Sequence, residues 1–189
     1  DTEFVDRFEL TTDQFWDKCQ SMDELPSTAA PAPGAFVEQF QEAASQGATG
    51  VVAIVLSGEL SATIEAAQQA ALMVKDEIEV NVVDSRTVTM GLGSIVVGAA
   101  TAAQSGASVE EISAHAIDCI ERTQVHAALD TLENLRKGGR IGAAGSLLGS
   151  MLSIKPLIEV RNGVVEPAGK QRTRSKALNS IVAVVEEHA

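Results

Sequence analysis

Val51-Val-Ala-Ile-Val-Leu-Ser-Gly-Glu-Leu-Ser-Ala-Thr63 is the stretch that decides the fold class. Val51 to Leu56 is an unbroken apolar run, the pattern of a strand covered on both faces. A Ser/Gly turn follows, and then a helix that carries Ile64, Ala67, Ala71 and Val74 on one stripe. Glu79 to Asp84 is a second buried strand, and Gly91 to Gln104 a second helix, ended by Gly106. Ser108 and Glu111 form a capping box that opens a helix to Arg122. This strand–helix alternation implies a parallel α/β sheet.

Upstream, Thr11 and Gln14 read as another capping box, for a short helix through Cys19. Leu25 to Gly34 is a loop containing Pro26, Pro31 and Pro33. Pro33 suits the first turn of a helix whose apolar positions are Phe36, Val37, Phe40, Ala43 and Ala44, closed by Gly47. Beyond residue 122 the pattern changes. Val125 to Leu129 reads as a strand, and Thr131 to Lys137 as a helix stopped by Gly138 and Gly139. Ala143 to Leu152 reads as a helix of small residues. Pro156 to Val160 and Val164 to Pro167 flank Asn162-Gly163, a strong hairpin signal. Ser175 to Glu187 is a closing helix with Leu178, Ile181, Val182 and Val185. The expected organisation is an α/β lobe over 1–122 and a partial α+β lobe over 123–189.

Composition narrows the class. The 189 residues are 45% hydrophobic and 21% charged, which fits a soluble globular chain and excludes a disordered one. Two cysteines exclude a disulfide framework and suit a reducing cytoplasm. No apolar run reaches the roughly 18 residues of a membrane span. The softest stretch, Met90 to Ala103, is interrupted by Gly91, Gly93, Ser94, Gly98 and Thr101. The net charge of −12 disfavours nucleic acid as a partner. That charge is uneven: residues 1–135 carry 22 acidic and 5 basic side chains, and residues 136–189 carry 4 and 9. The basic set is Arg136, Lys137, Arg140, Lys155, Arg161, Lys170, Arg172, Arg174 and Lys176. It reads either as a solvated face or as a site for a phosphate, another small anion or an acidic partner.

Most familiar chemistry is excluded. There is no GxxxxGK[ST] and no GxSxG. Gly91-Leu-Gly93 follows a strand, but the next glycine is Gly98, so close helix packing explains these glycines better than a dinucleotide site. His115 and Cys119 share a helix face, yet two ligands do not make a metal site, and none is expected. His126 and His188 lack a recognisable nucleophile partner. Asp84-Ser85, at the end of a strand, is either chemical or a turn.

Two hydroxyl-bearing loops remain. In Pro26-Ser-Thr-Ala-Ala-Pro-Ala-Pro33, Pro31 holds the chain extended and so fixes Thr28. In Leu56-Ser-Gly-Glu-Leu-Ser-Ala-Thr63, Ser61 stands where a parallel strand hands over to a helix N-terminus. Ligands of open α/β sheets bind beyond that end, and helix N-termini attract anions. Each loop alone reads as a cap or as a site. Together they suggest a small anionic head group held by neutral donors.

At these residues the sequence resembles the DegV family. Pro26-Ser-Thr-Ala-Ala-Pro-Ala-Pro-Gly34 is similar to that family's P-T-T-S-Q-P-x-P-G, and Ser57-Gly-Glu-Leu-Ser-Ala-Thr63 to its S-S-x-L-S-G-T. Val83-Asp-Ser-Arg-Thr-Val-Thr-Met-Gly-Leu-Gly93 resembles I-D-S-x-x-x-S-x-G-L-G, and Leu132 to Ile141 resembles L-x-x-L-x-K-G-G-R-I. Ile154-Lys-Pro156, Asn162-Gly163 and the stretch around Arg172-Thr173 match in order as well. The departures are Ala29, Ala30, Gly58 and Ala62, while Thr28 and Ser61 are kept. The family's opening strand with its T-D-S motif and the rest of its C-terminal lobe have no counterpart, so the chain is expected to be the middle of a longer protein.

The resemblance implies a Rossmann-like N-terminal lobe with a parallel sheet, followed by a partial α+β lobe. It implies a bacterial, cytoplasmic, non-enzymatic carrier of a long-chain fatty acid such as palmitate, with no cofactor. Thr28 and Ser61 would hold the carboxylate, Arg140 would lie near the head group, and Arg172 would face a fatty acid kinase that receives the acid. Candidates for the lining of an apolar tunnel are Met90, Leu92, Ile95, Leu147, Leu148 and Met151; ordinary core packing is the competing explanation of that stripe. Two other readings stand beside this one. One is an enzyme acting on a small phosphorylated or carboxylated substrate through Asp84, Ser85 and Arg140. The other is a docking module that offers the basic third, Arg172 included, to an acidic protein.

Overall fold

A computed structural model describes residues 4–5, 8–22, 24–149 and 154–188. Strands β1 (Gly50–Val55) and β2 (Glu79–Asp84) pair in parallel, from Gly50 opposite Glu79 to Val55 opposite Asp84. Alternation along β1 sends its side chains to two cores. Val51 and Ala53 pack with Phe40, Ala70, Val74 and Ile78, from helices α2 (Pro33–Ser45) and α3 (Thr63–Met73) and the turn after α3. Val52 and Ile54 join Val83, Ile95 and Ala116, beneath α4 (Thr89–Gln104) and α5 (Val109–Arg122). Both faces are therefore covered, as the apolar run requires. Only Val55 of β1 is fully buried, because among the described residues this sheet has two strands and each keeps an open edge.

Helix α1 (Thr12–Gln20) opens on the expected Thr11–Gln14 capping box and buries none of its residues. The Ser108–Glu111 box opens α5 as read from the sequence. Gly91 is buried where any Cβ would collide with Val125, and Gly98 lies against the His115 ring. Close packing thus accounts for these glycines.

A second sheet follows, antiparallel, in the order β3 (Val125–Ala128), β4 (Lys155–Arg161), β5 (Val164–Gln171). Asn162 and Gly163 turn the β4–β5 hairpin with φ of +52° and +88°, as a two-residue primed turn demands. One face packs a core of Leu132, Ala144, Ile158 and Val165, beside α6 (Glu133–Lys137). Helix α7 (Arg174–His188) packs against all three strands and buries Ala177.

One expected element differs. The helix read at Ala143 to Leu152 is a short 3-10 helix, Gly142–Leu147, after which Leu148 is extended. Gly142 has φ +52°, and a Cβ there would run into the carbonyl of Val165. The chain therefore crosses β5 too closely for an α-helical start. Met151 lies outside the described residues, and among those described no helix is long and apolar enough to cross a membrane.

Candidate functional site

Chain direction gathers three loops at one end of the parallel pair. Helix α2 runs down into β1, and α3 and α4 each start just after a strand ends. Gln41 of α2 donates to Glu77, just beyond α3, at 3.0 Å, so these helices run side by side and both begin at the same end. The segments 25–32, 56–62 and 85–88 thus lie beyond the C-terminal ends of the strands, where such sheets take ligands.

Thr28 is exposed on a loop without regular secondary structure, and among the described residues its hydroxyl has no hydrogen-bond partner. Ser61 is half-buried at the entry to α3. Its hydroxyl lies 2.8 Å from that of Thr63 and accepts from the Thr63 N–H at 3.3 Å. Ala62, the capping residue by position, offers no side-chain bond, so Ser61 does that work. Ser61 thus points over the positive end of an eleven-residue helix dipole.

Asp84 and Ser85 fasten this end of the fold. Asp84 accepts from the N–H of Gly58 at 3.3 Å and of Arg86 at 2.8 Å. Ser85 is fully buried and donates to the Thr87 carbonyl at 3.3 Å. Arg140 reaches the Ser61 loop through the backbone: its Nε donates to the Leu60 carbonyl at 3.1 Å, and its Nη1 to Gly138 at 2.6 Å. Arg172 is exposed at the end of β5. Elsewhere in the basic third, Lys155 and Arg174 converge on Asp130 at 2.9 and 3.2 Å. The hydrogen bond from Lys155 is the main cause that holds the Asp130 carboxyl below its ordinary value.

The suggested lining residues scatter. Ile95 sits in solid core with Val83 and Ala116, and Leu147 flanks the core of the antiparallel sheet. Met90 and Leu148 are exposed, and Leu92 is half-buried. Two recesses are formed in the parallel layer. One, of about 680 Å³, lies between α3 and the open edge of β2, lined by Ala71, Leu72, Ile78, Val80 and Val82 among others. The other, of about 360 Å³, lies between β1, α4 and α5. Neither is lined by Thr28 or Ser61. His115 and Cys119 are one helical turn apart, Nε2 to Sγ 3.5 Å, and among the described residues no group of three acidic, His or Cys side chains could hold a metal.

Sequence reasoning missed the residues that join the two sheets at this end. Ser57 Oγ donates to the Gly163 carbonyl at 2.7 Å, and Arg86 Nη2 to the Asn162 carbonyl at 2.8 Å. Leu60 leaves the same loop to pack against the core of the antiparallel sheet. The Asn-Gly turn was legible; that it would land here was not.

The family described as "Uncharacterised protein, DegV family" matches residues 1–189. A DegV domain-containing protein of Streptomyces coelicolor is 39% identical over 86% of this chain and 57% of its own length. One from Clostridium perfringens is 34% identical over 95% of the chain and 64% of its own length. Among solved structures, a DegV family protein from Thermus thermophilus described for its fatty acid binding superposes with a TM-score of 0.89 at 31% identity. DegV of Bacillus subtilis, described as a fatty acid binding protein, gives 0.85 at 30%. These cover 98% and 97% of the chain and 65% of each neighbour, so the chain spans less than two thirds of its relatives.

Proposed function

This chain belongs to the DegV family, and from that premise we propose that it binds one long-chain fatty acid, the carboxylate held by Thr28 and Ser61 and the tail in an apolar tunnel. The reading is carried by one observation. Two hydroxyl-bearing loops lie beyond the C-terminal ends of a parallel pair, one hydroxyl without a partner among the described residues and the other at a helix N-terminus. The names of the Thermus thermophilus and Bacillus subtilis structures support the same ligand class.

The energetics divide the labour. A tail of roughly 14–16 methylenes contributes on the order of 11–13 kcal/mol at about 0.8 kcal/mol per buried CH₂, before entropy costs. A hydrogen bond to a charged group adds about 1.5–3 kcal/mol. The tail therefore sets affinity, and Thr28 and Ser61 set which end of the ligand faces out. Of the suggested lining, Met90, Leu92 and Leu148 stand outside the packed cores and remain candidates for the tail, whereas Ile95 and Leu147 are taken up by core packing. Arg140, bonded to the neighbouring Leu60 carbonyl, adds positive potential near the head group. Asp84 and Ser85 spend their polar atoms on backbone partners, and Arg140 gives Nε and Nη1 to backbone carbonyls, which favours a carrier over an enzyme built on them. The exposed basic third, with Arg172, suits presentation of the carboxyl group to a fatty acid kinase. The free thiols of Cys19 and Cys119 suit a cytoplasmic setting.

Denaturing extraction of the purified chain, followed by mass spectrometry, should release about one fatty acid per chain. A lipid-free chain that also takes up no added palmitate overturns the reading.

A further inference from the structure

We propose that Arg86 is a positioning residue: it latches the β4–β5 turn onto the Ser57–Ser61 loop and so sets how firmly Ser61 grips a carboxylate. The inference rests on the reading of Ser61 as a head-group ligand. It assigns a role to a residue that touches no ligand.

Both carbonyls of the hairpin turn are taken by side chains of the parallel layer. Arg86 Nη2 donates to Asn162 at 2.8 Å, and Ser57 Oγ donates to Gly163 at 2.7 Å. The turn sits close. A Cβ on Gly163 would lie 2.7 Å from Ser57 Oγ and 3.2 Å from Cγ of Glu59. From Ser57 the contact continues to the site. Its Oγ also accepts from the Glu59 N–H at 3.2 Å, and its carbonyl accepts from the N–H groups of Leu60 and Ser61, both at 3.1 Å. The far side of the loop is tied by Asp84, which accepts from Gly58 N–H and from the N–H of Arg86 itself. Arg86 thus belongs to the same hydrogen-bonded ring through its backbone and its side chain.

Arg86 is also held at φ +49°, in the left-handed region that costs a side-chain-bearing residue. With its N–H fixed by Asp84, that conformation carries a guanidinium whose Nη2 reaches the turn. Ser57 is fully buried, so breaking its bond to Gly163 would strand a buried hydroxyl. Arg86 is exposed, so its bond opens without stranding a buried charge. Of the two pins, Arg86 is the one able to let go. Opening it leaves the turn pinned at Gly163 alone and loosens one side of the loop that ends in Ser61.

The test compares release of palmitate with release of 1-hexadecanol, which has the same tail and no carboxylate. Wild type, Arg86→Ala and Arg86→Lys are loaded with each ligand, and dissociation is followed by stopped-flow transfer to an acceptor. Loss of one net hydrogen bond predicts palmitate leaving Arg86→Ala about three- to tenfold faster, with hexadecanol unchanged and partial recovery in Arg86→Lys. Equal acceleration of both ligands, or of neither, overturns the latch and leaves the carrier reading intact. Wild type that holds palmitate no longer than hexadecanol removes the carboxylate grip, and this inference with it. Should Arg86→Ala melt early, Arg86→Gln provides the same comparison in a folded chain.

Discussion

A hydroxyl serves a carboxylate with its proton, and Thr28 and Ser61 differ in what else the hydroxyl holds. Thr28 has no partner among the described residues, whereas Ser61 is shared with Thr63 and caps α3. Thr28→Ala should therefore weaken palmitate binding about tenfold or more with no change in unfolding free energy. Ser61→Ala should weaken binding similarly and also cost about 0.5–2 kcal/mol of stability as a lost cap. Calorimetric titration and urea unfolding separate the two effects; full affinity in Thr28→Ala removes that residue from the site. Glycine gives a sharper contrast. Gly47 and Gly163 have φ of +89° and +88°, but only Gly163 has neighbours within 4 Å of an added Cβ. Alanine at Gly47 should cost about 1 kcal/mol for the backbone alone. Alanine at Gly163 should cost at least about 1 kcal/mol more, because Ser57 must move. The site's local parts were readable because Pro31, Ser61 and Thr63 lie in or beside their own loops. Its long-range parts were not: the Ser57–Gly163 and Arg86–Asn162 bonds span 106 and 76 residues, and no periodicity or motif encodes such a meeting.

Helix ends show how much of the fold is written locally. The Thr11–Gln14 and Ser108–Glu111 boxes, the limits Glu79–Asp84 of β2 and the Asn-Gly hairpin were all legible, because neighbouring residues decide them. The misread segment after Ile141 was decided by the backbone of β5 pressing on Gly142, which composition does not announce. Helix α2 has Ala32 at its N-cap position, already extended at φ −68° and ψ 151° but without a side-chain cap. Ala32→Ser should add about 0.5–1 kcal/mol, visible as a higher urea midpoint at unchanged slope. No gain would mean that the prolines on either side prevent the hydroxyl from reaching the first turn. Between elements, Asp130 joins β4 to α7 through Lys155 and Arg174. Its folded pKa is lowered, so its contribution is present above the ordinary aspartate value of about 4 and is lost as pH falls through the folded value. Asp130→Asn should thus be less stable than wild type near neutral pH and equal to it in strong acid. Added salt should shrink the gap, since the pair is solvent-exposed.

At the scale of the molecule, the question is what holds two separate sheets in one arrangement. The polar pins at Ser57, Arg86 and Arg140 fix direction, but each hydrogen bond contributes only about 0.5–1.5 kcal/mol net. One apolar link is Leu60, which belongs by sequence to the parallel layer and packs against the core of Leu132, Ala144, Ile158 and Val165 in the other. Leu60→Ala should therefore destabilise the antiparallel sheet from outside it, by about 1–3 kcal/mol for a half-buried leucine. Native-state hydrogen exchange reads this directly. Amides of β4 and β5 should lose protection in Leu60→Ala, although the substituted residue is nearly a hundred positions upstream. Phe40→Ala, in the core between α2, α3 and β1, should lower protection in β1 and β2 and leave the β4–β5 hairpin almost unchanged, since distant sites act independently. If Leu60→Ala instead weakened β1 and β2 alone, the leucine would be filling its own loop. The arrangement of the sheets, and with it the geometry around Ser61, would then rest on the polar pins.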